Sequence, residues 1–284
     1  MSLQRVGVLA HPLRQQSYPV AENISLLLKS YGIETHTFTE WTAEDVLSVV
    51  RECDAVVAIG GDGAMLRAAR VCAPFNVPIL GVNMGYLGFL TEVNTAEEIP
   101  ACIQRLHQGE YWLEKRLMLQ ATVYDGDGMV IGKGEALNDI VISGNAIGRM
   151  IYLEAYIDGH WTTNYNADAL VVSTATGSTA YALSCGGPIL PPELNNILLI
   201  PAAPHLTMSR PIVLSEGARV DIAPTSTNRD PVLINADGVP LGEMEVGGKV
   251  CVSASEHVTR FIRFRERNYF YRSLLDRLEP RNTA

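Results

Sequence analysis

The sequence predicts an α/β domain joined to a β-rich domain, with a last helix that returns to the first. Three observations predict this. Over residues 1–110 short apolar runs alternate with helix-period segments, as in a parallel sheet covered by helices. From 111 to about 264 the helical period largely disappears, and short β-type runs punctuated by Gly, Pro, Asn and Asp replace it. From 265 to 284 the helical pattern comes back in "NYFYRSLLDRLE".

Taken in order, "RVGVLAH" (Arg5–His11) reads as a buried strand and "PVAENISLLLKSYG" as a helix stopped by Gly32. "IETHTFTE" alternates like a strand, and "TAEDVLSVVREC" opens with Thr42 and Asp45 near capping-box spacing. "DAVVAIG" (Asp54–Gly60) is a buried strand, "AMLRAARVCA" a helix and "VPILGVN" another strand. The β-type runs that follow are "LMLQATVY", "EALNDIVIS", "MIYLEAYID", "ALVVSTAT", "NNILLIPAA", "PIVLSEGARVDIA", "VLINADG" and "KVCVSAS". "TGSTAYALSCGG" (Thr176–Gly187) stands apart, rich in small residues around a short helix. The expected organisation is a Rossmann-like domain at 1–110, a sandwich-like domain at 111–264, and a C-terminal helix at 265–284 packed on the first domain.

Net charge and cysteine usage narrow the function. A charge of −9 over 284 residues argues against a nucleic-acid binder and against a protein that clings to anionic lipid. Anionic substrates would need local arginines or a divalent cation. The five cysteines are scattered without a CxxC pair, so neither a disulfide framework nor a zinc site is suggested, and most are expected in the core. The N-terminal "MSLQRVGVLAH" has no signal-peptide pattern, and no run approaches the ~18 apolar residues of a membrane span. A cytoplasmic protein is expected.

"AIGGDGAMLRAAR" (Ala58–Arg70) places glycines around Asp62 where a strand opens into a helix. Free backbone N–H groups at such a turn favour an anion. Asp62 is either an N-cap for a helix beginning near Ala64 or a general base or cation ligand at the sheet's carboxyl edge. The turn is no P-loop and lacks the GxGxxG spacing. "NMGYLGFLTEV" (Asn83–Val93) lies at the same edge: Gly85 and Gly88 form a binding turn or an ordinary glycine loop, and Phe89 and Leu90 read as core. Asn138 and Asp139 are either a turn before a strand or a pair that holds a ribose diol. "DALVVSTATGSTAYALSCGGPIL" (Asp168–Leu190) is either a Ser/Thr-rich loop, with Thr176, Ser178 and Thr179 as caps, or a nucleotide cradle with an aromatic face at Tyr181. It supplies no GxSxG elbow. Arg67, Arg149, Arg210 and His205 are individually compatible with solvated or structural roles.

Together these stretches resemble the NAD kinase family, in the same order from about Val6 to Leu278. Its GGDG motif is matched by Gly60–Gly63, its NxGxLGFL by Asn83–Leu90 and its Asn–acid pair by Asn138 and Asp139. "TATGSTAYALSCGGPI", "PHLTMSRP" and the aromatic tail match three further segments. GGDG alone is shared loosely with lipid kinases and phosphofructokinases, whereas the ordered set is specific. The resemblance implies transfer of a phosphoryl group to the 2′-hydroxyl of the adenosine ribose of NAD, giving NADP. The donor is ATP or another phosphate donor such as polyphosphate, accompanied by Mg²⁺ or another divalent cation. It also implies a homodimer or homotetramer. Carried over by position, Asp62 is the catalytic base. Gly61, Gly63, Arg67, Asn83, Asn138, Asp139, Arg149, Asn166, Asp168, Thr176, Thr179, Ala180, Tyr181, Ala182, Leu183, Ser184 and His205 are the nucleotide-binding positions. The departures are Ala64 for the usual Thr or Asn, Ala175 for Pro, Ala169 for Gly and Val239 for Gln, while Asn166 stands where many members carry a basic or other polar residue. Ala64 bears on donor preference and Val239 on one substrate contact. The alternatives are a non-catalytic NAD sensor of the same fold, or a lipid or sugar kinase sharing GGDG.

Overall fold

The computed structural model describes residues 3–41, 44–85, 88–145 and 149–278. Thr42 of the expected capping box and Tyr86 and Leu87 of the second glycine motif lie outside them. The chain divides into two compact units, residues 1–115 with 257–284, and residues 116–256.

The first unit holds β1 (Arg5–Leu9), α1 (Ser17–Ser30), β2 (Glu34–Phe38), α2 (Glu44–Val50), β3 (Ala55–Ile59), α3 (Asp62–Cys72), β4 (Ile79–Val82) and α4 (Ile99–Gln108). Its sheet runs β2-β1-β3-β4, all parallel. β3 is buried at every position, which is why "AVVAI" is an unbroken apolar run. α1 buries Ala21, Ile24 and Leu28, and α4 buries Ile99, Ile103 and Leu106, against the same core as Val6, Val8, Val57 and Leu80. α4 is absent from the sequence expectation. A capping box of Thr95 and Glu98 precedes it, and Gly109 closes it at φ 73°.

The second unit carries most of β5 (Trp112–Tyr124), then β6 (Val130–Ala136), β7 (Asp139–Gly144), β8 (Ile151–Ile157), β9 (His160–Ala167), β10 (Ala169–Thr174), α5 (Tyr181–Ser184), β11 (Ile197–Ala202), β12 (Ile212–Leu214), β13 (Val220–Pro224), β14 (Val232–Ala236), β15 (Val239–Met244) and the start of β16 (Lys249–Arg263). One antiparallel sheet runs β12-β11-β10-β7-β14-β15, and β13 pairs with both β16 and β8, which pairs with β9. Ile140, Ile142, Leu170 and Val172 share one buried core with Leu153, Ala155, Val220 and Ile222, so two β layers face each other. Two expected single runs are each divided: "EALNDIVIS" breaks at Leu137–Asn138, and "PIVLSEGARVDIA" breaks at its Gly turn. β9 and β15 were not expected; β9 has exposed or half-exposed positions at most of its length and shows little apolar signal.

The end of β16 returns to the first unit, where Phe261 pairs in parallel with Ile79, and α6 (Tyr269–Leu278) follows. Tyr269 and Phe270 of that helix are buried, and the Phe270 ring lies 6.5 Å from that of Phe89. Of the cysteines, Cys53 and Cys72 are buried and Cys102, Cys185 and Cys251 half-buried, all as free thiols.

Candidate functional site

In the first unit the chain runs from β1 outward to β2 and then to β3 on the other side of β1. The loops after β1 and β3 therefore flank the switch point at which open α/β sheets bind ligands. Gly60, at φ 154°, is forced by packing, since a Cβ there would lie 2.5 Å from that of Ala64. Gly61 and Gly63 have nothing within 4 Å of where a Cβ would stand, so the turn is open on its outer side. α3 starts at Asp62 itself, not near Ala64, and its N-cap is Gly61 with no side-chain capping bond.

Asp62 is therefore not the helix cap. Its Oδ2 accepts the N–H of Phe89 at 2.8 Å and its Oδ1 that of Leu90 at 2.9 Å. Gly88 lets the loop come this close, because a Cβ there would sit 2.2 Å from Asp62 Oδ1. Two sequence motifs are thus one object: the carboxylate of the first is clamped by the backbone of the second. Asn83 donates from Nδ2 to Gly85 O at 3.2 Å, and its buried Oδ1 has no hydrogen-bond partner among the described residues. Arg67 is exposed, and Arg14 donates to Met84 O at 2.6 Å. Burial, then the charges of Arg14 and Arg67, lowers the pKa of His11, so three basic side chains gather beside the turn.

In the second unit the break between β6 and β7 forms an elbow. The Asp237 carboxylate accepts the N–H groups of Leu137, Asn138 and Asp139 at 2.8, 2.9 and 3.2 Å. Asp237 and Gly238 form the β14–β15 hairpin turn with φ of 47° and 74°, the left-handed pair of a two-residue turn. The other side of the elbow is held by the Thr174–Gly177 turn. Thr174 Oγ1 donates to Leu137 O at 2.6 Å and accepts the N–H of Gly177, while Ser173 Oγ donates to Asn138 O at 3.1 Å. A Cβ on Gly177 would lie 2.2 Å from Asn138 O, so only glycine fits.

Thr176 Oγ1 accepts from the buried Arg116 at 3.0 Å, Ser178 Oγ donates to Ala175 O, and Thr179 Oγ1 donates to Thr176 O. None of the three makes a side-chain capping bond to a following helix; Ser178 and Thr179 bond carbonyls within the turn, while Thr176 ties it to Arg116 and Ser178 also to Leu190. In the run that follows, Thr179, Ala180 and Leu183 are half-buried and Tyr181 and Ser184 exposed. Ala182 is fully buried against Val171, Leu198 and Ile200, so its side chain packs the core.

Asp139 is 7% exposed, and its carboxylate receives no hydrogen bond among the described residues. Burial, then the neighbouring Asp237 charge, pushes it up to about 7. Partial burial, then the nearby Cys185, Asp168 and Asp139, raises the Tyr181 phenol, which places both acids close to that ring. A folded-state pKa raised from 3.8 to about 7 favours the neutral acid, so this contribution to stability is complete below the ordinary value and is lost as pH rises through about 7. The melting temperature of the parent is expected to fall relative to that of Asp139→Asn between about pH 4 and about pH 8. Melting curves that track each other across that range would remove the assignment.

The structure thus groups Gly61, Asp62, Gly63, Arg67 and Asn83 in one unit, and Asn138, Asp139, Asp168, Thr176 and Thr179–Ser184 in the other. Arg149 stands elsewhere: it pairs with Asp230 beside Gly144, at the far end of β7 from Asp139, in a cavity of about 390 Å³. Asn166 O accepts the N–H of the exposed His205 at 2.8 Å, between Ala203 and Leu206 with φ of 47° and 50°. The sequence reading missed Asp237, Ser173 and Thr174 as elbow-holding residues. The Asp–Gly hairpin signal in "NADG" was the available clue for Asp237.

Family models for the ATP-NAD kinase N-terminal and C-terminal domains match residues 18–111 and 137–264. An NAD kinase of Chloroflexus aggregans is 38% identical over 97% of this chain and 99% of its own length. One from Thermoanaerobacter sp. is 39% identical over 94% and 96%. Among solved structures, yeast NADH kinase complexed with NADH superposes with a TM-score of 0.85 at 23% identity, covering 100% of this chain and 89% of that one. An NAD kinase from Archaeoglobus fulgidus in complex with ATP gives 0.76 at 24% identity, covering 95% and 98%.

Proposed function

The chain belongs to the ATP-NAD kinase family and phosphorylates NAD, and we propose that Asp62 is the base of that transfer. The ribose 2′-hydroxyl gives its proton to the Asp62 carboxylate as its oxygen bonds to the terminal phosphorus of ATP. The bond from that phosphorus to the leaving ADP oxygen breaks, and the products are NADP and ADP. The open turn at Gly61–Gly63, with a clamped carboxylate between its glycines, is the observation that carries this reading. Each Asp62 oxygen uses one lone-pair direction on a backbone N–H and keeps another for the hydroxyl. Phosphoryl transfer depends mostly on positioning and charge neutralisation, so the base is one contribution among several.

On this reading Gly61, Gly63, Arg67 and Asn83 serve the turn. Asn138, Asp139, Asp168, Thr176, Thr179, Ala180, Tyr181, Ala182, Leu183 and Ser184 receive NAD, Ala182 through its backbone. Arg149, Asn166 and His205 remain binding positions by family match. Mg²⁺ would enter with the donor, held chiefly by the substrate phosphates, as is usual for this ion at phosphoryl-transfer sites. It supplies neutralisation of the donor charge. Polyphosphate is a further candidate donor. From the family resemblance we propose a cytoplasmic homo-oligomer, a dimer or tetramer.

The test is incubation with Mg-ATP and NAD, with NADP detected by an NADP-specific dehydrogenase. NAD binding without NADP formation under any donor would leave a sensor instead. Ala64, 4% exposed in the first turn of α3, sets a further prediction. Ala64→Thr restores a hydroxyl beside the turn and is expected to change the donor KM by several-fold, about the size of one hydrogen bond, with less effect on the NAD KM. Equal changes in both would place residue 64 away from the donor.

A further inference from the structure

Leu90 is gripped on both sides. Its N–H is received by Asp62, and its carbonyl accepts from Arg263 Nη1 at 2.9 Å. Arg263 is fully buried, and its Nε donates to Glu114 Oε2 at 2.8 Å. Tyr269 of α6 donates its hydroxyl to the same Glu114 carboxylate at 3.0–3.1 Å, and its ring stacks 5.2 Å from the guanidinium. Glu92 stands 3.4 Å from Arg263 Nη1 and accepts the N–H groups of Phe264 and Arg265. Burial opposes the charge on the guanidinium, but Tyr269, Glu114 and Glu92 around it outweigh burial and hold its pKa above the ordinary arginine value.

A buried arginine among carboxylates is a poor way to gain stability, because desolvation consumes much of the attraction and an apolar cluster of similar volume often does better. Its distinctive property is directional: a planar fork whose bonds are fixed on several sides at once. Here one tine of the fork ends on the loop that clamps the candidate base. We propose that Arg263 is a positioning residue for the phosphoryl transfer, holding Leu90 so that the loop presents its N–H groups to Asp62, with Glu114 and Tyr269 fixing the direction of the guanidinium. The final helix thereby becomes part of what holds the catalytic turn. This inference rests on the reading of Asp62 as the base.

The test measures kcat and both KM values for Arg263→Met, Arg263→Lys, Tyr269→Phe, Asp62→Asn and the Asp62→Asn/Arg263→Met pair, with thermal unfolding as a folding control. Arg263→Met is expected to lower kcat about tenfold, the worth of one charge-assisted hydrogen bond, with both KM values little changed. Arg263→Lys, keeping a charge but not the fork, should recover part of that loss. In the Asp62→Asn background the Arg263 change should cost almost nothing more, because both act through one carboxylate. A folded Arg263→Met enzyme with the parent kcat, a loss carried by the KM values, or a full tenfold loss added to that of Asp62→Asn would each overturn the proposal. Should Arg263→Met not fold, Tyr269→Phe decides: a lower kcat at a near-parent melting temperature supports the relay, and an unchanged kcat overturns it. Asp62→Asn at the parent rate would sink the base assignment separately, whatever Arg263 does.

Discussion

Asp62→Asn is expected to lower the rate of NADP formation by roughly 10²–10⁴, the usual cost of losing a general base. The substitution keeps size and polarity but removes the basic oxygen. NAD affinity should change little, because the base acts as the proton leaves and not while the dinucleotide docks. The geometry adds one complication that the experiment must read. Both carboxylate oxygens of Asp62 accept backbone N–H groups, from Phe89 and Leu90. An amide offers an acceptor to only one of them and sets its NH₂ against the other. Part of the loss therefore reflects a displaced loop, and thermal unfolding of the variant reports how much the clamp contributes to stability. Turnover at the parent rate would leave Asp62 as a clamp between two loops and nothing more.

The double duty of Asp62 shows where sequence reading stops. The α/β half is visible in the sequence because β1, β3 and β4 are buried on both faces and its helices are amphipathic, so "DAVVAIG" and "AMLRAARVCA" announce themselves. α4 left a signal too, in its capping box at Thr95 and Glu98 and its Gly109 stop. β9 hides because much of it faces solvent, leaving only Tyr165 and Ala167 as fully buried anchors. Local pattern cannot show partners that are far apart in the chain. Asp62 meets Phe89 27 residues on, Asp237 reaches back about a hundred residues to Leu137, and Arg263 meets Glu114 across 149. In the sequence Asp62 reads equally as a helix cap, because aspartate is a favoured N-cap residue. Its real partners come from a loop that only the sheet order brings alongside. Arg263, in the same way, reads as one more charge at the end of a strand, and only its complete burial marks it out.

Asp139→Ala should fail differently from Asp62→Asn. It is expected to weaken NAD binding roughly tenfold to a hundredfold, the worth of about 1.5–3 kcal/mol for hydrogen bonds to a charged group. The reason lies in how the site is held. Asp237 ties down the N–H groups of Leu137, Asn138 and Asp139, and the Thr174 turn ties down the carbonyls, so the elbow backbone is satisfied without the Asp139 side chain. The carboxylate is left buried, beside a second acid, with no hydrogen bond among the described residues. A buried acid without donors stays neutral up to about 7. Ribose hydroxyls that donate to it would favour the charged form, so NAD binding to the parent should strengthen as pH rises through about 7, with a proton released on binding. Asp139→Ala should bind weakly at every pH and lose that rise. Calorimetry at about pH 6 and about pH 8, in two buffers of different ionisation enthalpy, measures both the affinity and the proton. kcat at saturating NAD should remain far closer to the parent than in Asp62→Asn. If Asp139→Ala instead binds NAD normally but turns over slowly, the acid serves the chemistry and not the docking, and the division of labour between the two aspartates is wrong.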